Sequence, residues 1–346
     1  MKALKSALFT LSCLGLISCA SAQKLSNTPV AIDSLAETML VYQLSNGGWA
    51  KQYMDGTSVR YQDRIDDELL ARIKEITPMK ATIDNGATSR EINTLIKAYK
   101  QTQNKAYLQA AERGIAYLLK AQYANGGWPQ FYPDKSSYRH EITYNDNAMI
   151  NVLNIMQDIA TQSNGFEVVN ASLVPKAKDA VARGLDCILK TQVKQNGKPS
   201  IWGAQYDEKT LQPAKARNFE PASLSAGESV GIVRFLMRFP DPTPEIKLAV
   251  KSAVEWFDAT KIEGYKFAEP QKGEGRKLLP DASSTLWARF YDISTNKPIF
   301  GDRDNSIKTN VEELSPERRN GYAWYGNWAV SLLAKEYPKW LKTWGE

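Results

Sequence analysis

Leu40-Val-Tyr-Gln-Leu-Ser-Asn-Gly-Gly-Trp49 returns as Leu119-Lys-Ala-Gln-Tyr-Ala-Asn-Gly-Gly-Trp128, and more faintly as Leu189-Lys-Thr-Gln-Val-Lys-Gln-Asn-Gly197 followed by Trp202. The shared asparagines, Asn46, Asn125 and Asn196, stand 79 and then 71 residues apart. A period of that length holds about two helices, and one helical hairpin cannot bury its own apolar face, so successive copies must stack. The repeat therefore predicts an all-α chain, a helical-hairpin toroid of the (α/α) barrel type in one domain.

Working outward, apolar residues recur at three-four spacing over 91–99, 107–122, 147–161, 174–191, 230–239, 244–260 and 326–336, which predicts helices there. Alternation of the strand type is scarce. Between the helices lie stretches rich in Gly, Asn, Asp, Pro and Trp, over 45–56, 124–146, 195–227 and 262–285. Loops of this length in a packed domain usually carry function.

Residues 1–22 combine Lys2 and Lys5, an apolar run from Ala7 to Ile17, and the small-residue end Ser18-Cys-Ala-Ser-Ala22. That pattern predicts a secretory signal, leaving 23–346 as the mature domain. Leu16-Ile-Ser-Cys19 also resembles a bacterial lipobox, whereas Ala20-Ser-Ala22 offers ordinary cleavage. The expected destination is the periplasm or the medium, or the outer membrane through a lipidated Cys19. No later stretch is apolar enough to span a membrane. Only Cys187 remains after the signal, so no intramolecular disulfide is expected, and its apolar neighbours make it a core residue. The formal charge of +6 falls to +4 without Lys2 and Lys5, spread over many helices, which excludes a nucleic-acid binder. Nine Trp and sixteen Tyr, many beside Gly, Asn or Pro, would suit stacking on sugar faces, although core packing is their commoner use.

Two further segments match each other. Thr82-Ile-Asp-Asn-Gly-Ala-Thr88 and Thr143-Tyr-Asn-Asp-Asn-Ala-Met149 each set an Asp-Asn pair before a helical run. Gathered at one rim, Asp84, Asn85 and Asp146 would offer an incomplete oxygen shell for calcium, open to water and a substrate carboxylate. The plainer alternative is helix capping, which Asp and Asn do well. The chain has one histidine, His140, so His/Cys zinc sites and nucleophilic triads are excluded except around that residue, which reads as a loop histidine. What remains is hard-cation coordination, acid-base work by Asp, Glu, Tyr, Lys or Arg, and anion recognition by arginine. Arg217, Arg289, Arg303 and Arg318 are spaced through segments crowded with aromatics and acids. Internal pairing competes with ligand binding for each: Arg217 with Glu220, Arg303 with Asp302 and Asp304.

The combination Ile83-Asp-Asn-Gly-Ala-Thr88, Asn125-Gly-Gly-Trp-Pro129, Tyr144-Asn-Asp-Asn-Ala-Met149, Ala204-Gln-Tyr-Asp207, Ala216-Arg-Asn-Phe-Glu-Pro-Ala-Ser-Leu-Ser225, Leu286-Trp-Ala-Arg-Phe-Tyr-Asp-Ile293 and Phe300-Gly-Asp-Arg-Asp304 resembles the pectate lyases of polysaccharide lyase family 10. The likeness runs from about residue 35 to the C-terminus. It implies a helical toroid that cleaves polygalacturonate by calcium-assisted β-elimination; the chain itself is expected to act as a monomer. It further implies calcium ligation by Asp84, Asn85 and Asp146, a catalytic base at Arg217, and substrate binding by Arg289, Arg303 and Arg318. On chemistry alone Lys215, Tyr206 or Lys308 would be less strange bases, since arginine normally stays protonated, and Arg319 competes with Arg318 for the cleft. Two rivals remain: a glycoside hydrolase using Asp146 and Asp207, and a non-catalytic lipoprotein capturing acidic oligosaccharides through Trp49, Trp128, Trp202 and the arginines.

Overall fold

The computed structural model describes residues 31–345, so the expected signal segment lies outside the described residues. The helices are α1 (Ser34–Tyr42), α2 (Asp67–Lys74), α3 (Ser89–Thr102), α4 (Lys105–Ala121), α5 (Ala148–Ala160), α6 (Leu173–Thr191), α7 (Ala226–Leu236), α8 (Pro244–Thr260), α9 (Pro316–Asn320) and α10 (Tyr337–Trp344). Three hairpins, α3/α4, α5/α6 and α7/α8, stand side by side, with α3, α5 and α7 in one layer and α4, α6 and α8 in the other. Helix α1 packs on α3 and α4 at one end. Hairpin stacking is thus the architecture the repeat predicts; a closed ring is not found among the described residues.

The repeat works through hydrogen bonds. Gln43 Nε2 donates to the carbonyls of Gly47 (2.9 Å) and of Ala110 on α4 (2.8 Å). Gln122 does the same for Gly126 (3.0 Å) and Ala180 on α6 (2.9 Å), and Gln192 for Ser200 (2.8 Å) and Ala249 on α8 (3.0 Å). Each glutamine therefore ties the turn after one helix to the next helix of the same layer. Gly126 sits at φ +90°, and a Cβ there would lie 1.9 Å from the Arg183 carbonyl oxygen, so only glycine lets this turn press onto α6.

The tryptophans complete the device. Trp49, Trp128 and Trp202 are fully buried, and their Nε1 groups donate to the carbonyls of Met39, Leu118 and Ile188, each at 2.8 Å. An indole buries about 150–250 Å², worth about 4–6 kcal/mol of transfer free energy at about 25 cal/mol per Å². These three residues hold the fold and offer no face to a sugar, which corrects the stacking role expected of them.

The helical ends fall within a few residues of expectation except near the C-terminus. There the expected helix over 326–336 is helical only from Val330 and passes through a π-helical turn (Leu332–Glu336) into α10. The larger departure is the segment 262–285, expected as a loop. It forms an antiparallel hairpin of β6 (Ile262–Ala268) and β7 (Lys277–Ala288), with a register shift between Glu263 and Tyr265. Gly264 and Pro280 interrupt the apolar alternation that would have marked strands.

Short strands frame the rest. In chain order the two-residue ladders β1 (Ile142–Thr143), β2 (Lys194–Gln195), β3 (Lys198–Pro199), β4 (Gln205–Tyr206) and β5 (Leu224–Ser225) precede β6; β8 (Phe290–Tyr291), β9 (Pro298–Gly301), β10 (Ile307–Lys308) and β11 (Tyr325–Gly326) follow β7. β1 pairs with β4, and the order β10-β9-β8-β5 makes a small antiparallel sheet. A second, smaller core of Phe267, Phe290, Ile299, Phe300 and Trp324 sits among these C-terminal strands. This sheet carries the arginine-bearing loops over the ends of the helices. No helix among the described residues is long and apolar enough to cross a membrane.

Candidate active site

The two Asp-Asn segments fold as one structure made twice. Thr82 and Thr143 are equivalent, so Asp84 aligns with Asn145, Asn85 with Asp146, and Gly86 with Asn147. The backbone agrees: Asn85 has φ 50° and Asp146 φ 52°, followed by Gly86 at 72° and Asn147 at 58°. Asp84 and Asn145 are buried at 4% and 5% exposure, whereas Asn85 and Asp146 are exposed. Acid and amide have exchanged places between the copies. The two turns pack against each other at the mouth of the α3 and α5 hairpins.

Capping does not explain them. The residue at the start of α3 is Thr88 and that of α5 is Asn147, and neither makes a side-chain cap. Asp84 Oδ1 accepts from the Asn85 amide (3.0 Å) and its other oxygen pairs with the Lys51 ammonium. Asp146 Oδ2 accepts from Asn145 Nδ2 (2.9 Å), and its Oδ1 lies 3.6 Å from Arg289 Nη2. Partial desolvation holds the Asp146 carboxyl above the usual range although the side chain keeps 40% exposure, with Glu228 and Asp84 adding to the rise while Arg289 and Arg217 oppose it.

Both carboxylates open on one polar cavity of about 130 Å³, lined by Lys51, Asp84, Asn85, Gln130, Tyr138, Asn145, Asp146, Gln205, Arg217 and Glu220. Gln130 is 5% exposed and its Oε1 is buried with no hydrogen-bond donor, a defect costing about 1–3 kcal/mol. Two carboxylates, several amide oxygens and an undonated buried oxygen form a hard donor set suited to calcium. The described residues contain one histidine-carboxylate group at metal-like spacing, His140, Glu141 and Glu208, and it is not this one. Burial pushes Glu141 there up to about 7.

The four arginines gather around one aromatic pair, Phe219 and Tyr322, whose rings meet edge-on at 5.4 Å. Over Phe219 lie the guanidinium carbons of Arg318 (4.2 Å), Arg217 (4.8 Å) and Arg303 (5.1 Å). Tyr322 faces Arg289 and Arg318, each at 4.9 Å. Arg289, at the end of β7, donates to Glu228 Oε1 (2.8 Å) and Asn145 Oδ1 (3.3 Å), reaching the second turn from below. Arg303 makes a two-point pair with Glu317, at 2.9 Å each, so its internal partner is Glu317 and not the adjacent Asp302 or Asp304. Asp302 instead holds Ser315, and Asp304 closes its own turn on Ser306. Arg318 is buried, donates to the Gly321 carbonyl (2.8 Å) and has an unpartnered Nε, whereas Arg319 turns away to the carbonyls of Glu274 and Glu312.

Arg217 pairs with Glu220 through both nitrogens, Nε at 2.8 Å from Oε2, and Glu220 also accepts from the Tyr322 hydroxyl (2.7 Å). This pairing raises Arg217 above the ordinary arginine range, opposite to the depression a base would need. Arg318 alone of the four is lowered, chiefly by burial. A second groove of about 310 Å³, lined by Ser137, Tyr138, Ala216, Arg217, Asn218, Phe219 and Arg303, adjoins the cavity through Tyr138 and Arg217.

Of the other candidate bases, Tyr206 is fully buried, its hydroxyl oxygen accepting from the Gly203 amide at 2.6 Å, and Lys215 is bound to Asn305 Oδ1. The hydrolase pair is not assembled, because Asp207 does not line the cavity; the amides of Lys209 and Thr210 and the Thr210 hydroxyl take up its Oδ1 and hold it below the usual range. Sequence reasoning missed Lys51, Gln130, Tyr138, Asn145, Gln205 and Glu228. Only Asn145 had a signal, its alignment with Asp84.

A family model for pectic acid lyase matches residues 43–333. Among solved structures, a family 10 polysaccharide lyase from Cellvibrio cellulosa superposes with a TM-score of 0.80 at 37% identity, covering 90% of this chain and 92% of that one. A mutant of that lyase in complex with trigalacturonic acid gives a TM-score of 0.80 at 36% identity, over 90% of this chain and 93% of that one. Comparison with curated proteins gives no match. With a family match over most of its length and a fold shared at this identity, the chain belongs to the pectic acid lyases, family 10 of the polysaccharide lyases.

Proposed function

We propose that this polysaccharide lyase cleaves α-1,4-linked polygalacturonate by calcium-dependent β-elimination, releasing unsaturated oligogalacturonides. The observation that carries the reading is the cavity in which Asp84, Asn85 and Asp146 face Arg217, with Arg289 reaching Asp146 from below. Asp84, Asn85 and Asp146 would hold calcium, with Asn145 and Gln130 as the further oxygens nearest to hand. Bound there beside a uronate carboxylate, calcium would supply positive charge that acidifies the adjacent C5 proton.

Arg217 takes that proton from C5; the electron pair forms the C4–C5 double bond, the C4–oxygen bond breaks, and the leaving oxygen takes a proton from water, to which Arg217 in turn releases the one it took. Arg289, Arg303 and Arg318 grip uronate carboxylates, for which a planar two-donor fork is suited. The substrate-free pairing with Glu220 keeps Arg217 a cation, so the reading requires that pair to open when substrate enters, leaving Glu220 held by Tyr322. The positive charge of Arg318, Arg303 and Arg289 then disfavours a further cation and so favours the neutral form of Arg217.

The same reading assigns residues 1–22 to export and 23–346 to one catalytic domain, acting as a monomer in the periplasm or outside the cell, or tethered through Cys19. It is tested by Arg217→Ala: bond cleavage should vanish while oligogalacturonate still binds. Turnover at the wild-type rate would remove Arg217 from the mechanism.

A further inference from the structure

The sole histidine of the chain stands between two glutamates at one end of the β1/β4 ladder. His140 and Glu141 immediately precede β1, Glu208 follows β4 by two residues, and the register Ile142↔Tyr206 brings the two ends together. His140 Nε2 lies 3.5 Å from Glu141 Oε1 and 3.5 Å from Glu208 Oε2. The three ligand atoms fall within 4.8 Å of one another.

These separations are too long for hydrogen bonds, which prefer about 2.7–3.2 Å. They match another geometry. Metal-ligand bonds of about 2.0–2.2 Å in a tetrahedral site place the ligand atoms about 3.3–3.6 Å apart. The remaining atoms of two of these side chains, Glu141 Oε2 and His140 Nδ1, are buried with no partner, so no other hydrogen bond holds either side chain in place. Lys209 pairs with Glu208 only at long range, Nζ 3.9 Å from Oε1 on a side chain that is 83% exposed, a screened contact of small energetic weight. His140 and Glu208 keep 31% and 21% side-chain exposure, so an ion has an entry path and an open fourth position.

We propose that His140, Glu141 and Glu208 form a second metal site, separate from the carboxylates of the cavity, for a divalent ion of the zinc class. An imidazole with two carboxylates favours zinc over calcium, whose ligands are oxygens alone. β1 runs directly into the Asn145–Asn147 turn, and the chain beyond β4 leads to Arg217. The ion would clamp these two walls of the cavity to each other without touching it.

The test uses tag-free mature protein stripped with chelator, then titrated with zinc in excess calcium, which keeps the cavity carboxylates engaged. Binding of one equivalent is expected, with the unfolding midpoint rising by about 4 °C at a hundredfold excess over Kd. His140→Ala and Glu208→Gln should each weaken binding by roughly a hundredfold or more, while Asp146→Ala should bind zinc as the wild type does. Because the chain has one histidine, its imidazole NMR signals report the site in the unmodified protein, and they should shift on zinc addition. Absence of binding to wild type, unchanged affinity in His140→Ala, or unmoved imidazole signals would overturn the proposal.

Discussion

The Asp84 turn and the Asp146 turn have one backbone and opposite placement of charge. In the first the acid is buried and the amide exposed; in the second the amide is buried and the acid exposed. Each acid has drawn a cation of its own kind, Lys51 from a loop beside the first turn and Arg289 from the end of β7 beneath the second. The chain thus sets two left-handed corners of the same shape toward one cavity, with a carboxylate at a different depth in each. A site made of two deep acids would repel itself, and one made of two exposed acids would be soft; one of each gives a fixed anchor and an adjustable partner.

The largest effect is expected outside the turns, at the residue both face. Arg217→Ala should lower turnover by about a thousandfold with oligogalacturonate affinity nearly unchanged, measured by steady-state kinetics and calorimetry. That loss sets the scale for the turns themselves. Exchanging the second pair, Asn145→Asp with Asp146→Asn, keeps composition and charge and should still cost about 10–100-fold in calcium affinity. Equal affinity in the exchanged protein would show that depth is irrelevant and break the comparison.

The pH dependence sharpens it. The Asp146 carboxyl is held above the usual range by partial desolvation and by the neighbouring Glu228 and Asp84, so its ionised form is lost at higher pH than an ordinary aspartate's as the solution is acidified. Calcium affinity, which needs the ionised form, should therefore begin to fall on acidification at a higher pH in the wild type than in Glu228→Gln. Glu228 is one of the groups raising Asp146, and its removal moves the fall downward.

Smaller effects follow at the cations. Lys51→Met removes the ion that competes for Asp84 and should tighten calcium binding by about two- to fivefold, read by calorimetry; weaker binding would make Lys51 a support instead of a competitor. Glu220→Gln removes the largest cause of the raised Arg217. If deprotonated Arg217 is the base, the acid limb of the pH–rate profile should move to lower pH, and an unmoved limb would separate Glu220 from the base.

What could be read in the chain follows the reach of each interaction. Gln43 and Gln122 stand three residues before Asn46 and Asn125, and Gln192 four before Asn196, so the hairpin stack was legible from local identity, although which atoms the glutamines bind was not. Glu220 was legible as the partner of Arg217 because three residues separate them. Asn145 lay open to the same alignment that matched the turns, yet pairing acid with acid hid it. Lys51, Gln130 and Glu228 arrive from separate loops and helices, and no spacing in sequence encodes their meeting in one cavity. The tryptophans misled because Gly-Gly-Trp resembles a loop motif, while the indole N–H, satisfied by a helix carbonyl, places the ring inside. The β6/β7 hairpin was hidden by Gly264 and Pro280, tolerated because the ladder shifts register around Glu263 and Tyr265.

The most direct measurement is the ultraviolet absorbance of product when purified mature protein meets polygalacturonate, first with calcium and then with excess chelator. A conjugated double bond that accumulates with calcium and stops accumulating with chelator is the expected result. New reducing ends without that absorbance, or absorbance indifferent to chelator, would contradict calcium-dependent elimination at the paired turns.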